Sequence, residues 1–413
     1  MRPISELADA IHQQWKERNY ALEVFPEVAA EGLTRACLPE QLKPRDILDW
    51  LENVGENYLP RQADLSNSFG EPAVTLWRGE RFFVDALFWT TGTTSIHQHG
   101  FLGAFQVLAG SSLHTEFDFE THESIGSFIR KGALNARAVR VLERGAVHPI
   151  HTGDKLIHSL FHLDVPSVTI VVRTPSAQVG TPQFNYHRPG IAISPPRGLQ
   201  WLTKMTQGLI LLQTMGDEDF GRRAAGVLAR LDLESAVTLL FELFWKTRDG
   251  ARFQEILRNG LAAHRPLASF LEEVFLCLRR DTSITTMRSK VLNPDHRFLL
   301  ALLLNVDRRE TVLELVRQRT RSPEPVLAIC DMLRELSEGD SQGSLGVTFD
   351  ETTLAVLEQL LRGRSPAEAL HALEHTYGPE AVASSREDLL ALCEALRTST
   401  LFGRLLGPAP SYR

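Results

Sequence analysis

The alternation of apolar and polar residues changes its period twice along the chain. ISELADAIHQQWKERN places apolar residues at helical spacing, and PEQLKPRDILDWLENV repeats the pattern after a proline start, so both stretches predict helices. From about Ala73 the period shortens. AVTLW, RFFVDALFW, GAFQVLAG, SSLHTEFDF, ARAVRVLE, KLIHSLFHL and PSVTIVVR follow one another, separated by Gly, Pro, Thr and Asp clusters. Many short strands at roughly ten-residue spacing predict a sandwich or barrel. After ISPPRG at 193–198 the strands stop. GRRAAGVLARLDLESAVTLLFELFW, RPLASFLEEVFLCLRR, DETTLAVLEQLLRG and SREDLLALCEALR each show the three-to-four spacing of a buried helical face. Eight or more helices packed as a bundle or irregular solenoid are expected there, with no fixed repeat period. The reading is an α+β chain of three parts: a helical segment over 1–65, a β-barrel over 66–195 and an all-α region over 196–413.

Composition narrows the function classes. The chain has 413 residues, 43% hydrophobic and 23% charged, with a net charge of −7. That suits packed domains and gives no basic field to draw nucleic acid or an anionic membrane. The opening MRPISELADAIHQQWKERNY lacks the apolar core of a signal peptide, and no long uncharged apolar run occurs. A cytoplasmic protein is expected. Cys37, Cys277, Cys330 and Cys393 stand far apart with no CxxC pair, which excludes a disulfide framework or a thiolate zinc site as the organising element. No nucleotide-loop, zinc-protease or esterase motif occurs.

Histidine is the unevenly distributed residue. Of 14 histidines, His97, His99, His114, His122, His148, His151, His158, His162 and His187 fall between positions 97 and 187. On a strand, residues two apart share a face, so His97 and His99 present both imidazoles to one side. Neutral imidazole suits iron, zinc, copper or nickel. HTGDKLIHSLFHLD supplies a third ligand, since His158 and His162 share a face of the strand that follows its turn; turn spacing favours His158 and leaves His162 to orient a ligand or substrate. His151 in that turn reads as a turn or rim residue.

WTTGTTSIHQHGFLGAFQVLAG resembles the first cupin motif, with Gly92, His97, His99 and Gly110 at its fixed places, and RGAVHPIHTGDKLIHSLFH resembles the second, with His158 in the ligand place and His162 in the trailing one. The resemblance covers about 120 residues and implies a jelly-roll barrel with one bound metal. Most metal cupins add a glutamate ligand; here that place is Gly103, with Ala104 beside it. A three-histidine site without the carboxylate resembles the thiol dioxygenases, cysteine dioxygenase among them. This implies Fe(II), with zinc, nickel or manganese as alternatives, and O2 as co-substrate. Animal cysteine dioxygenases also carry a cysteine crosslinked to a tyrosine; those places read Gly103 and about Arg173, so the crosslink cannot form and the substrate does not follow.

Alternation on PSVTIVVRTP puts Thr169, Val171 and Arg173 on one face. If that face is the barrel interior, Arg173 can hold a substrate carboxylate in a bidentate pair. Gln106, Tyr186 and His187 are further substrate-contact candidates, the latter two as a rim or lid in QFNYHRPG. In SSLHTEFDFE the alternation is read as Phe117 and Phe119 inward, with His114, Glu116, Asp118 and Glu120 facing water. The expected activity is a cysteine-dioxygenase-like Fe(II) oxygenase or oxidase for a small polar metabolite, a thiol or amino-acid derivative. A cupin isomerase using the metal as Lewis acid is the alternative enzyme class. A non-enzymatic ligand sensor signalling through the helical region is the other alternative, and that region is also the expected surface for a second copy or a protein partner.

Overall fold

The computed structural model describes residues 1–63, 70–90, 93–194, 200–247, 249–339 and 349–407. Eleven strands occupy the middle of the chain: β1 (Ala73–Arg78), β2 (Phe83–Trp89), β3 (Ile96–Gln98), β4 (Gly103–Ala109), β5 (Ser112–Ile125), β6 (Ile129–Leu142), β7 (Val147–Ile150), β8 (Ile157–His162), β9 (Ser167–Arg173), β10 (Asn185–His187) and β11 (Ile191–Ile193). One sheet has the order β1-β2-β9-β4-β7. The other runs β10-β11-β6-β5-β8-β3 and closes on itself, because β10 pairs with β3 as well as β11. Every strand pair is antiparallel. Four strands, β2-β9-β4-β7, thus form a sheet opposite β3-β8-β5-β6, the strand order of a jelly roll. The expected barrel between helical flanks is what the chain forms. Gly92 of the first motif lies outside the described residues.

The flanking helices cover the two sheets. Helix Arg2–Glu17 buries Ile4, Leu7, Ala8, Ile11 and Trp15 at three- and four-residue spacing. With helix Phe25–Ala36 it joins one core with Val74, Val84, Ala104, Leu108, Ile170 and Val172, the outer face of the first sheet. Thirteen helices follow from Gln200 among the described residues. Several begin at side-chain caps: Asp232, Asp249, Asn293 and Asp350 each accept backbone N–H bonds, and Ser365 forms a capping box with Glu368. Leu113 and Phe161 of the second sheet, with Leu163 just after β8, share a core with Phe298, Leu299 and Leu302 of helix Pro294–Asn305. The second sheet is therefore buried on both faces over residues 112–117 of β5 and over β8, and its inner face carries the histidines.

Candidate metal centre

β3 pairs with β8 so that His97 stands opposite His158, and His99 follows directly at the end of β3. Pleating turns all three side chains to the same interior face. Their ligand atoms lie within 4.8 Å of one another. Nε2 of His99 and Nε2 of His158 are 2.8 Å apart, close to the separation of about 3 Å that two imidazoles require on one ion with bonds of about 2.1 Å. His97 donates from Nδ1 to Ser95 O at 2.8 Å, which leaves Nε2 as its lone-pair nitrogen.

All three rings are buried. Burial lowers the pKa of His97, and burial followed by neighbouring histidines holds His99 and His158 well below the ordinary value. Each ring is thus neutral near pH 7, the protonation state a metal ligand needs. A cation fits this donor set, and the absence of a carboxylate ligand is structural: a Cβ on Gly103 would meet Val172 O at 2.0 Å. Ala104 faces the N-terminal helices.

The rings open onto a cavity of about 120 Å³. Its walls include Trp89, Phe101 and Phe105, with Thr169, Val171 and Arg173 from β9. The β9 alternation read from the sequence therefore points inward, and Arg173 is on the wall. Its Nε donates to Asp85 Oδ2 at 2.9 Å, and its guanidinium lies over Phe83 and Phe101. Asp85 also accepts from Thr75 Oγ1 at 2.8 Å.

Other candidates are placed elsewhere. His162 shares no ligand cluster with His97 and His99: its ring stacks on Trp89 at 4.4 Å, Nδ1 meets Ser112 Oγ at 2.9 Å, and its carbonyl accepts from Arg288 Nη2 at 3.0 Å. Gln106 is on the opposite face of β4, its amide 3.4 Å from Leu33 O and Gly145 O, out of reach of the cavity. Tyr186 and His187 line a separate cleft against the C-terminal helices rather than a rim of this cavity. Tyr186 Oη bonds Gln98 Oε1, and His187 packs on Phe241. His151 sits 3.6 Å from Glu27, away from the cluster.

The expectation that His114 and Glu116 face water is overturned. Both are buried on the inner face of β5, while Asp118 and Glu120 are exposed. Alternation holds along this part of β5, so His114 and Glu116 share the inner face; the bulged residue is Arg137 on the partner strand β6. His114 Nε2 is 2.8 Å from His158 Nδ1. Its own Nδ1 is 3.9 Å from Glu116 Oε1, and Glu116 binds Arg137 at 2.7 Å, His148 at 3.2 Å and Arg140. His114, Glu116 and His148 also bring ligand atoms together, but two guanidiniums already neutralise that carboxylate and would repel a second cation. The sequence carried the signal for this group only in its histidine count.

A jelly-roll barrel with three neutral imidazoles converging in a closed interior defines the class: a barrel protein with a candidate mononuclear metal centre. No protein-family model matches the chain, and no curated protein matches it. Among solved structures, it is similar to a DMSP lyase (16% identity, 27% of this chain, 50% of that one, TM-score 0.19). It is also similar to an uncharacterized conserved protein with a double-stranded β-helix domain from Klebsiella pneumoniae (14% identity, 32% and 89%, TM-score 0.19). A third is hydroquinone 1,2-dioxygenase from Sphingomonas sp. TTNP3 (12% identity, 26% and 68%, TM-score 0.20). The chain spans half of the first of these. Likeness at this level selects no reaction, and the fold assignment rests on the strand order.

Proposed function

We propose that the barrel is the catalytic part of a mononuclear non-haem Fe(II) oxygenase or oxidase for a small polar metabolite, a thiol or amino-acid derivative, with O2 as co-substrate. The observation that carries this reading is the convergence of His97, His99 and His158, all neutral, in a buried cavity with no carboxylate among the three ligand groups. These three residues would hold the ion. When bound, iron in a three-ligand site supplies open coordination positions and redox chemistry.

The chain's own residues do the rest. The cavity volume of about 120 Å³ limits the substrate to a small molecule, below the 150 Å³ or so that admits benzene. Trp89, Phe101 and Phe105 exclude water around it. Arg173, its Nε fixed by Asp85, orients an anionic end of the substrate from the β9 wall. His114 holds the orientation of His158 from behind.

The test is elemental analysis of the purified protein combined with oxygen consumption on a panel of thiols and amino acids. Iron near one per chain with oxygen uptake supports the reading. Zinc or nickel without oxygen uptake selects Lewis-acid chemistry instead. No bound transition metal, and no recovery on adding Fe(II), overturns both.

A further inference from the structure

A second cavity, about 520 Å³, lies where the barrel meets helix Arg265–Lys290. It is on the far side of β3 and β8 from the histidines. Ser95 and Ser159, neighbours of His97 and His158, are among its barrel-side residues, and Thr94 lines both cavities. The metal centre described above makes no use of this space.

Its lining carries Arg188 and Asp281, and the wider cluster of charges behind them is unbalanced. Arg188 on the cavity wall is 5% exposed, and among the described residues its hydrogen bond within 3.5 Å is from Nη2 to Asn305 O at 3.2 Å. Asp281 and Asp307 stand 3.9 Å from it, beyond hydrogen-bond reach. Both carboxylates are engaged more closely by other cations. Arg280 reaches Asp281 at 3.2 Å and Arg404 reaches Asp307 at 3.4 Å. Three guanidiniums thus share two carboxylates, with one positive charge left over. His187 on the same wall adds none, since burial lowers its pKa to about 4. A guanidinium has five N–H donors, and Arg188 has spent few of them inside the protein.

The helix that carries Asp281 also offers acceptors. Thr282 and Thr285 of helix Arg265–Lys290 donate their hydroxyl protons to Leu278 O and Asp281 O, and Ser289 donates to Thr286 O. Their oxygens therefore face the cavity with lone pairs to spare. A guanidinium donor and a run of hydroxyl acceptors along one cavity fit one ligand chemistry.

We infer that this cleft is a second binding site, for a small hydroxylated anion, with Arg188 taking the carboxylate or phosphate and the Thr282–Ser289 face taking the hydroxyls. The site is independent of the metal reading, so the test uses metal-free full-length protein. Isothermal titration with L-malate and with glycerol 2-phosphate distinguishes the two anion types, with sulfate and glycerol as controls. Saturable binding near one per chain by either probe, at least tenfold tighter than either control, is expected. Arg188→Gln should abolish it. Because Arg188 is buried and that change can disturb folding, Thr286→Trp, at an exposed lining position, is the second variant: it should block binding with the thermal transition unchanged. No saturable heat with either probe, equal binding of sulfate, or unchanged binding in a folded Thr286→Trp protein overturns the assignment.

Discussion

His114 Nε2 lies 2.8 Å from His158 Nδ1, while His158 turns its other nitrogen to within 2.8 Å of His99 Nε2. The one ring that faces the ligand cluster on one side is therefore held from the other by a buried acceptor. Were Nε2 to hold a metal, His158 would keep its proton on Nδ1 and donate it to His114 Nε2, leaving the proton of His114 on Nδ1, 3.9 Å from Glu116 and beyond hydrogen-bond reach. Arg137 and Arg140 hold that carboxylate in place.

Removing the acceptor should loosen the ligand. His114→Leu is expected to weaken metal affinity by roughly 10- to 100-fold, the range for loss of a partner behind a ligating histidine. His114→Gln, which keeps an acceptor oxygen, should lose much less. Chelator competition on both variants, alongside their unfolding curves, measures this. Equal affinities in the leucine variant and the parent would sink the idea.

His158 and His162 can be separated directly. His158→Ala should lose the bound metal, as should His97→Ala and His99→Ala, whereas His162→Ala should retain metal near the parent stoichiometry and be destabilised by about 1–3 kcal/mol through the unpaired Ser112 and the gap beside Trp89. Metal content after exhaustive dialysis is the measurement. Loss of metal in His162→Ala with His158→Ala unaffected would reverse the assignment.

The part of the site legible in the sequence is the part that strand parity determines. His97 and His99 share a face whatever else the sheet does, and the turn at Gly153 sets His158 opposite them. Arg173 followed from alternation on β9 for the same reason. His114 and Glu116 did not follow, because the second sheet is covered on both sides. Leu113 and Thr115 are as buried as His114, so alternation on β5 says nothing about which face meets water. Gln106 failed differently: its face of β4 packs under helix Phe25–Ala36, a tertiary contact that a local pattern does not contain. Tyr186 and His187 belong to a three-residue strand whose partners, β3 and β11, are distant or too short to read.

Asp85 anchors the wall opposite the histidines. Its carboxylate accepts from Arg173 and Thr75 and is almost fully buried. Asp85→Asn removes the charge that faces Arg173 Nε and breaks this buried ion pair, a loss of about 3–5 kcal/mol by the usual cost of breaking a buried pair. Urea unfolding of the metal-free protein reads this. The double variant Asp85→Asn, Arg173→Met should recover part of the loss; no recovery would show that the pair is not what holds this wall.

Acid should destabilise the metal-free protein before its carboxylates titrate. Burial lowers His148 and His187 to about 4 each, against about 6.5 in the unfolded chain. Between those values the unfolded state binds a proton that the folded state does not, so stability falls as pH drops from about 6.5 toward 4 and is full above 6.5. Each such histidine contributes a slope of about 1.4 kcal/mol per pH unit in that window. Denaturant unfolding at pH 7.5, 6.5, 5.5 and 4.5 should show a plateau followed by a steep decline, and His187→Leu should reduce the slope by about one proton. A flat profile down to pH 4.5 would mean that these rings accept protons in the folded protein as readily as in water, which their burial at the cleft and beside Glu116 does not permit.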